Sequence, residues 1–331
     1  MKTPFLFTLT LVLVLGLFSC GAKETKNESG SEAQEEIAED TTPQGSMEID
    51  PTCANYEVEF DYEGLHYVII NHNSVYLENH ESHQSISGDL VIPSTVTYQG
   101  VKYYVVAIGD YAFEGCVGLT SVTIPEGVTH IGGSAFSSCS SLTSIIIPNS
   151  VTKIGSFAFS GCIDLPNLTI PSSVTSIGDY AFIGMSLYED HSHWENGCLY
   201  IDDCLIAVDK DAMIGDYAIK EHTRLIADYA FKGCEELTSV TIPEGVTHIG
   251  DYAFDACASL TSVTIPNSVM IIGMGAFNEC IGLTSVTIPN SVTTIGKYAF
   301  DYCLKLTTIL VSNYTQIGEY AFPEHTEVIR Y

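Results

Sequence analysis

The sequence predicts an α/β repeat fold, in which a β-rich solenoid of stacked 23-residue units follows a small N-terminal β cap. Three observations lead to this prediction. A motif that opens Leu119-Thr-Ser-Val-Thr-Ile-Pro returns every 23 residues, a phenylalanine marks the same phase of each unit, and a single insertion of 26 residues, 188–213, interrupts the register. Units begin at Leu119, Leu142, Leu165, Ile214, Leu237, Leu260, Leu283 and Leu306. An irregular unit around residues 91–116 brings the count to nine.

The first 19 residues have the features of an export signal. Lys2 precedes an apolar run, Phe5–Phe18, that is shorter than the ~20 residues a membrane-spanning helix needs. The run ends in Leu17-Phe18-Ser19-Cys20-Gly21, which resembles a bacterial lipobox. The resemblance implies that residues 1–19 are a lipoprotein signal peptide and that Cys20 is acylated. The alternative is an ordinary signal peptide in which Cys20 has no special role.

Residues 20–53 predict an acidic, disordered tether. They contain few apolar residues, and seven acids lie between residues 24 and 40. Such a segment cannot bury a core and repels itself.

Residues 54–89 predict the β cap of a solenoid that occupies residues 90–331. Alternating polar and apolar residues predict strands at 56–62 and 65–70, a turn at Glu63-Gly64 and a third strand at 74–78. The cap is placed to cover the first open edge of the solenoid.

The charge balance excludes several classes of partner. The chain has 12 Lys+Arg against 41 Asp+Glu, a formal net charge of -29. Nucleic-acid binding needs clustered cationic side chains, so this class is excluded. The same charge opposes adsorption to anionic lipid surfaces. Contact with a membrane is therefore expected only through the lipid anchor at Cys20.

Each unit has the pattern of two short strands and a corner. In the second unit, alternation turns Val122 and Ile124 toward a core and turns Ser121 and Thr123 outward. Pro125 offers no donor to a strand ladder and ends the first strand. The rest of the unit is a second strand at 128–131, a corner at Gly132 and a short helical turn at 135–139. One unit cannot bury its apolar face alone, whereas stacked units bury a continuous core.

The pattern L-x-x-V-x-I-P-x-x-V-x-x-I-G-x-x-A-F-x-x-C resembles the BspA-like class of leucine-rich repeats over residues 90–331. The resemblance implies a right-handed leucine-rich-repeat solenoid and a bacterial cell-surface protein of the kind that binds matrix proteins or other cells. It implies no catalytic residues. The ninth unit lacks the proline and has His325 in place of the cysteine, as expected of a terminal cap.

One slot of the repeat forms a row of cysteines. The row consists of Cys116, Cys139, Cys162, Cys234, Cys257, Cys280 and Cys303, with Met185 in the fourth unit. Equivalent side chains of stacked coils run parallel at ~4.8 Å, whereas a disulfide needs converging Cβ vectors. The row therefore predicts buried free thiols that act as small apolar residues.

The insertion contains two further candidate sites. Cys198 and Cys204 lie in a predicted hairpin whose two-residue turn would pair Cys198 with Ala207 and direct the two sulfur atoms to opposite faces, so we expect no disulfide. His191 and His193 would share a face on a strand and could bind a divalent metal with Glu189 or Glu195. The alternative is a solvated polar loop, and no metal or cofactor is assigned.

A tyrosine row occupies the slot before the alanine of each corner. Its members are Tyr111, Tyr180, Tyr229, Tyr252, Tyr298 and Tyr320, and acids precede five of them: Asp110, Asp179, Asp228, Asp251 and Glu319. The favoured interpretation is a half-buried row that seals the coil edge. Exposed tyrosine is also typical of recognition surfaces, so a binding strip stays open.

The outward face of the first strands is the predicted ligand surface. Its residues are Ser239, Thr241, Ser262, Thr264, Ser285 and Thr287. These side chains are small, carry hydroxyls and are uncharged in a strongly acidic molecule, and solenoids bind ligands on such extended faces. The alternative is that threonine is simply a favourable strand residue.

Together these observations predict an exported protein, lipid-anchored in the bacterial envelope at the outer membrane or cell surface, that binds a protein or glycan ligand for adhesion. It is not expected to be an enzyme. One alternative is a structural envelope spacer without a specific ligand. The other is a metal-assisted enzyme that uses the insertion 188–213.

The lipobox-like run makes a direct prediction for the mature chain. Mass spectrometry of the mature N-terminus should find acylated Cys20 as the first residue, and a Cys20→Ala variant should leave the membrane fraction. A free amino terminus upstream of Cys20, or a Cys20→Ala variant that still fractionates with membranes, would contradict the lipid anchor.

Overall fold

The computed structural model describes residues 58–79, 83 and 85–331. The predicted signal peptide, the tether and Cys20 lie outside these residues. Within them the chain is a β-solenoid of about 10 turns with ~23-residue repeats, as the sequence predicts.

Each unit except the fourth contributes its first strand to a front row, and all nine units contribute their second strand to a back row. The front-row strands are β4 (Ser87–Val91), β7 (Gly118–Thr123), β9 (Ser144–Ile146), β14 (Gly215–Ala218), β16 (Leu237–Thr241), β18 (Ser262–Thr264), β20 (Ser285–Thr287), β22 (Thr308–Val311) and β24 (Glu327–Arg330). The back-row strands are β6 (Val101–Ile108), β8 (His130–Ile131), β10 (Lys153–Ile154), β11 (Ser176–Ile177), β15 (Leu225–Ile226), β17 (His248–Ile249), β19 (Ile271–Ile272), β21 (Thr294–Ile295) and β23 (Gln316–Ile317). Neighbours that pair within a row are parallel.

The N-terminal hairpin and third strand are present as β1 (Val58–Tyr62), β2 (Leu65–Ile69) and β3 (Ser74–Leu77). β2 pairs in antiparallel fashion with both β1 and β3, and β3 pairs in parallel with β6 at the start of the back row. A further strand, β5 (Thr95–Tyr98), forms a hairpin with β6. β4 runs across residue 89, where the sequence places the end of the cap, and joins the front row by pairing with β7.

The phenylalanines of the units form two stacked columns, one on each side of the insertion. Ring centroids of neighbouring units lie between 4.8 Å, for Phe231 and Phe254, and 5.9 Å, for Phe159 and Phe182. The eight rings from Phe113 to Phe300 are fully buried. Burying each contributes about 1.5–3 kcal/mol, so these columns are a principal source of stability.

The corner after each back strand is not the predicted helical turn. Residues 132–135 and 136–139 form two successive tight turns, closed by backbone hydrogen bonds of 3.3 and 3.2 Å. The third residue of each turn is left-handed, with φ of 53° at Ser134 and 61° at Ser138.

These turns leave backbone groups free to join the next coil. The amide of Phe113 donates to the carbonyl of Ala135, and the amide of Phe136 donates to that of Ala158, both at 2.8 Å. A helical turn would direct these groups along its own axis. The observed corner instead adds a third ladder between coils, which explains why the helical prediction is wrong.

The nine cysteines among the described residues are free and buried, as predicted for the row. The sulfur of Cys257 donates to the carbonyl of Phe231 at 3.2 Å, and Cys280 does the same to Phe254. Cys139, Cys162 and Cys303 bond in the same way to the phenylalanine carbonyl of the preceding coil.

The insertion is wedged between two apolar cores. It includes the end of α1 (Ser186–Glu189), two 3-10 turns (His191–His193 and Lys210–Ala212) and a hairpin of β12 (Cys198–Ile201) and β13 (Cys204–Val208). β13 pairs in parallel with β15. Hairpin side chains alternate between the two cores. Leu199, Ile201, Cys204 and Ile206 pack into the core of the first four units, and Cys198 and Leu205 pack into the core of the later units.

Cys198 and Cys204 thus lie in different cores and form no disulfide. The predicted pairing is wrong in one detail, because Cys198 lies opposite Val208 rather than Ala207. A bulge between Leu199 and Tyr200 shifts the register by one residue.

The ninth unit does not end the front row. β24 pairs in parallel with β22 and adds a front strand beyond the nine units counted from the motif. Its sequence, Glu327–Arg330, lacks the repeat motif, so the pattern alone did not reveal it.

Acids at the corner cap the following coil. The carboxylate of Asp228 accepts the amide hydrogen of Asp251 at 2.8 Å, and that of Asp251 accepts from Met274 at 2.6 Å. Burial, with the negative charge of Asp251 second, raises the pKa of Asp228 to about 7. Burial likewise raises the pKa of Asp251.

The thiol row predicts a labelling pattern. A thiol reagent applied to the folded chain should leave the nine described cysteines unmodified, and after unfolding it should modify all nine. Mass mapping without reductant that finds a link between adjacent units, such as Cys257 with Cys280, would contradict this prediction.

Asp228 predicts a dependence of stability on pH. Because folding favours the protonated acid, its stabilising contribution is present below the unfolded-state pKa of 3.8 and is lost as pH rises through about 7. At ~1.4 kcal/mol per pKa unit, the free energy of unfolding of Asp228→Asn should exceed that of wild type by several kcal/mol at about pH 8. At about pH 4 the two free energies should differ little. Asn keeps an acceptor for the amide of Asp251.

Thermal unfolding at both pH values measures this effect. Asp211→Asn, on the exposed surface, is the control and should follow wild type. Equal stability of wild type and Asp228→Asn at both pH values would refute the assignment.

Candidate functional site

The six predicted ligand contacts come together on three neighbouring front strands, β16, β18 and β20. Parallel register aligns Ser239 with Ser262 and Ser285, and Thr241 with Thr264 and Thr287. We call this surface the hydroxyl face. Five of the six residues are exposed, and Ser239 is half-buried. Val240 and Val263, between the two rows, are buried. The strand alternation therefore presents the hydroxyl side chains to solvent.

An aspartate closes one end of the hydroxyl face. Asp216, on β14, accepts hydrogen bonds from Ser239 at 2.7 Å and Thr238 at 2.9 Å. These bonds, the one from Ser239 first, lower the pKa of Asp216. Asp216 pairs with Ser239 in the parallel register of β14 and β16, so it occupies the slot that serine fills in the three following strands.

Asp89 repeats this arrangement at the start of the first front sheet. It accepts hydrogen bonds from Ser121 at 2.6 Å and Thr120 at 3.0 Å. Because Asp89 precedes the first regular unit, the repeat gave no signal for it.

A groove interrupts the front row beside β9. In regular units a threonine amide donates to its counterpart one coil earlier, as Thr143 does to Thr120 at 2.9 Å. Pro166 occupies this slot in the fourth unit and has no N–H to donate. Front pairing ends at β9, and a shallow groove of 310 Å³ separates it from the next coil. The lining comprises Thr143, Ser144, Ile145, Ile146, Ile147, Asn167, Leu168 and Thr169.

The hairpin and Arg224 hydrogen-bond to residues 170–174, which follow the irregular front segment of the fourth unit. The amide of Ile170 donates to the carboxylate of Asp202 in the hairpin turn at 2.8 Å. The guanidinium of Arg224 donates to the carbonyls of Val174 at 2.5 Å and Pro171 at 2.9 Å. A proline in a threonine slot is the signal that could have located this break from the sequence.

The histidines of the insertion do not form the geometry required for the metal hypothesis. Residues 191–193 form a 3-10 turn rather than a strand, so the two histidines do not share a strand face. His191 stacks on Trp194 at 4.6 Å, and His193 lies 3.9 Å from Asp190. Glu195 pairs with Lys220 at 3.0 Å. Across residues 58–79, 83 and 85–331, no group of three His, Cys, Asp or Glu could hold a metal ion.

The slot of the tyrosine row lies in the corner and is present in all nine units, although not every unit fills it with tyrosine. We call the row the aromatic edge: Tyr111, Ser134, Phe157, Tyr180, Tyr229, Tyr252, Gly275, Tyr298 and Tyr320. Every member has φ between 52° and 60°, a region that favours glycine. An aromatic ring thus stands in seven of nine slots whose backbone glycine would adopt more easily.

Neighbouring rings of the aromatic edge stack on one another. Centroids lie 5.4 Å apart for Phe157 and Tyr180, 5.0 Å for Tyr229 and Tyr252, and 5.6 Å for Tyr298 and Tyr320. The ring of Tyr252 also covers the position that a Cβ would take at Gly275.

Comparison with known proteins places this architecture in a family. The family described as BspA type Leucine rich repeat region matches residues 94–204 and 210–329 in six copies. No curated protein matches the chain. In the part of the chain that the structure describes, no helix has the length and apolar content to cross a membrane.

Several solved structures are similar. A leucine-rich repeat protein from Bacteroides ovatus is 30% identical, with 78% of this chain and 67% of that chain covered and a TM-score of 0.38. A leucine rich cell surface protein from Faecalibacterium prausnitzii is 22% identical, with 82% and 94% covered and a TM-score of 0.40. The T. pallidum Leucine Rich Repeat protein is 23% identical, with 75% and 91% covered and a TM-score of 0.35.

The two matched stretches lie on either side of residues 205–209 in the insertion and include the stacked phenylalanines, the cysteine row and most strands of both rows. The chain therefore belongs to the BspA-type leucine-rich repeat family.

Proposed function

We propose that this protein is a lipid-anchored binding module of the bacterial cell surface, which holds a protein or glycan ligand for adhesion. Export and attachment rest on residues 1–19 and Cys20, with the anchor in the outer membrane. The solenoid presents the ligand surface, and family membership supports a binding role.

The hydroxyl face is the observation that carries this proposal. Two in-register rows of small hydroxyl side chains stand on three hydrogen-bonded strands. Such a surface is rigid and flat, so a ligand loses little free energy to ordering of the protein. Apart from Ser239, which donates to Asp216, each hydroxyl can donate and accept a hydrogen bond, which suits a peptide backbone or a sugar.

The side chains that most often perform catalysis are engaged in the structure of the solenoid, which favours a binding role over an enzymatic one. Thiols of the cysteine row such as Cys257 donate to backbone carbonyls, and the corner acids Asp228 and Asp251 accept hydrogen bonds from backbone amides. These groups are engaged in joining one coil to the next. Glu195 of the insertion pairs with Lys220 of the fifth unit at 3.0 Å.

A double substitution on the hydroxyl face tests the proposal. Thr264→Arg with Thr287→Arg should reduce affinity at least tenfold for a ligand found by screening the mature chain, with Cys20→Ser, against matrix proteins and glycans. The long side chains block close approach to the two strands. Because both positions are exposed, the free energy of unfolding should change by about 0.5 kcal/mol or less.

The matched control is Thr294→Arg with Gln316→Arg. These residues pair in the same way on back strands β21 and β23 and add the same charge. The control should bind as wild type does. A folded hydroxyl-face variant that binds as tightly as wild type would remove this face as the site, and absence of any ligand in the screen would favour the envelope spacer.

A further inference from the structure

We propose that the aromatic edge is a second interaction surface, distinct from the hydroxyl face, and that it docks an extended lysine- or arginine-rich segment of a protein partner.

The exposure of the rings is the first argument. A row that only seals the coil would bury its aromatic faces, yet Tyr111 is 50% exposed, Tyr180 is 49% exposed and Tyr320 is 66% exposed. The core beneath is already closed by the buried alanine that follows each ring, such as Ala112 and Ala181. These rings therefore contribute much of their surface to solvent rather than to the core.

The backbone is the second argument. Left-handed φ disfavours side chains with a Cβ, and a bulky residue there is unusual. Gly275 occupies the same slot with φ of 58°, so the fold accepts glycine at this position. Placing rings at most of these slots, against the backbone preference, is the kind of strain that accompanies recognition sites.

A lysine of the chain itself already binds to one ring of the aromatic edge, which is the third argument. The ammonium group of Lys232 lies 4.7 Å from the ring centroid of Tyr229 and 3.2 Å from a carboxylate oxygen of Asp255. The side chain of Asp255 is only 9% exposed, and its other oxygen accepts a hydrogen bond from Asn278 at 2.8 Å. A fixed carboxylate and a tyrosine face thus bind one cation, and attraction of this kind is general to aromatic faces.

The charge of the molecule selects a basic partner. The formal net charge is -29, and acids precede exposed rings of the edge at Asp110, Asp179 and Glu319. A cationic segment gains from both the rings and this field, whereas an acidic segment is repelled.

Removing rings without removing acids tests the proposal. The variant is Phe157→Gly, Tyr180→Gly and Tyr320→Gly in the mature chain with Cys20→Ser, and the probe is a twelve-residue peptide of alternating lysine and glycine. Calorimetry at about 0.15 M salt, where long-range attraction is screened, should show binding to wild type and at least tenfold weaker binding to the variant. A glutamate–glycine peptide should not bind.

Tyr314→Gly is the matched control, since it removes a 92% exposed ring that lies outside the edge. It should bind the lysine peptide as wild type does. The three single variants carry the test if circular dichroism shows that the triple variant is unfolded.

Equal binding of the lysine peptide by wild type and the triple variant would overturn the proposal, because the acidity of the protein alone would then explain the binding. Failure of wild type to bind the peptide, or ring-dependent binding of a neutral oligosaccharide in its place, would also overturn it. These outcomes do not depend on the hydroxyl face, so either proposal can fail alone.

Discussion

Hydrogen bonding between successive coils is the constraint on which the rest of this solenoid depends. Within each continuous run of units, front strands, back strands and corners form ladders to the next unit, as the amides of Thr143, Gly155 and Phe136 illustrate. Three ladders per coil fix the spacing and force each side chain to lie on its counterpart. A residue type is then acceptable only if copies of it can be stacked, which is why the sequence repeats so strictly.

Phenylalanine, cysteine and aspartate meet this requirement in different ways. Flat rings stack face to face, at 5.1 Å for Phe254 and Phe277. Cysteine avoids its counterpart by donating to a carbonyl 26 residues earlier. Stacked acids repel each other, and the repulsion adds to burial in the raised pKa of Asp228. Groups that are usually reactive are therefore engaged in structure, and recognition is left to side chains that point away from the coil.

Local sequence patterns predicted the features that arise within one repeat unit, and they missed the contacts that join residues of different units. Alternation identified the strands, the buried Val122 and Ile124, and the register of the hydroxyl rows. The corner was mispredicted because the left-handed residue of its first turn is usually tyrosine and is glycine only at Gly275, whereas the usual signal is glycine or asparagine. The bonds from Arg224 to Val174 and Pro171 join residues 50 and 53 positions apart, beyond any periodic signal. The same limit hid the role of Pro166 as a break in the front row.

The wedged hairpin gives the array an internal boundary. In a stack where each coil contacts only its neighbours, cooperativity passes from coil to coil. Leu205 and Cys198 face one core while Leu199 and Ile201 face the other, so β12 and β13 act as the terminal layer of both. If a unit were gained or lost on one side of the insertion, β12 and β13 would stay in place. The units on the other side would then keep their pairing register. The insertion thereby allows the number of units on one side to change without disturbing the packing of the units on the other side.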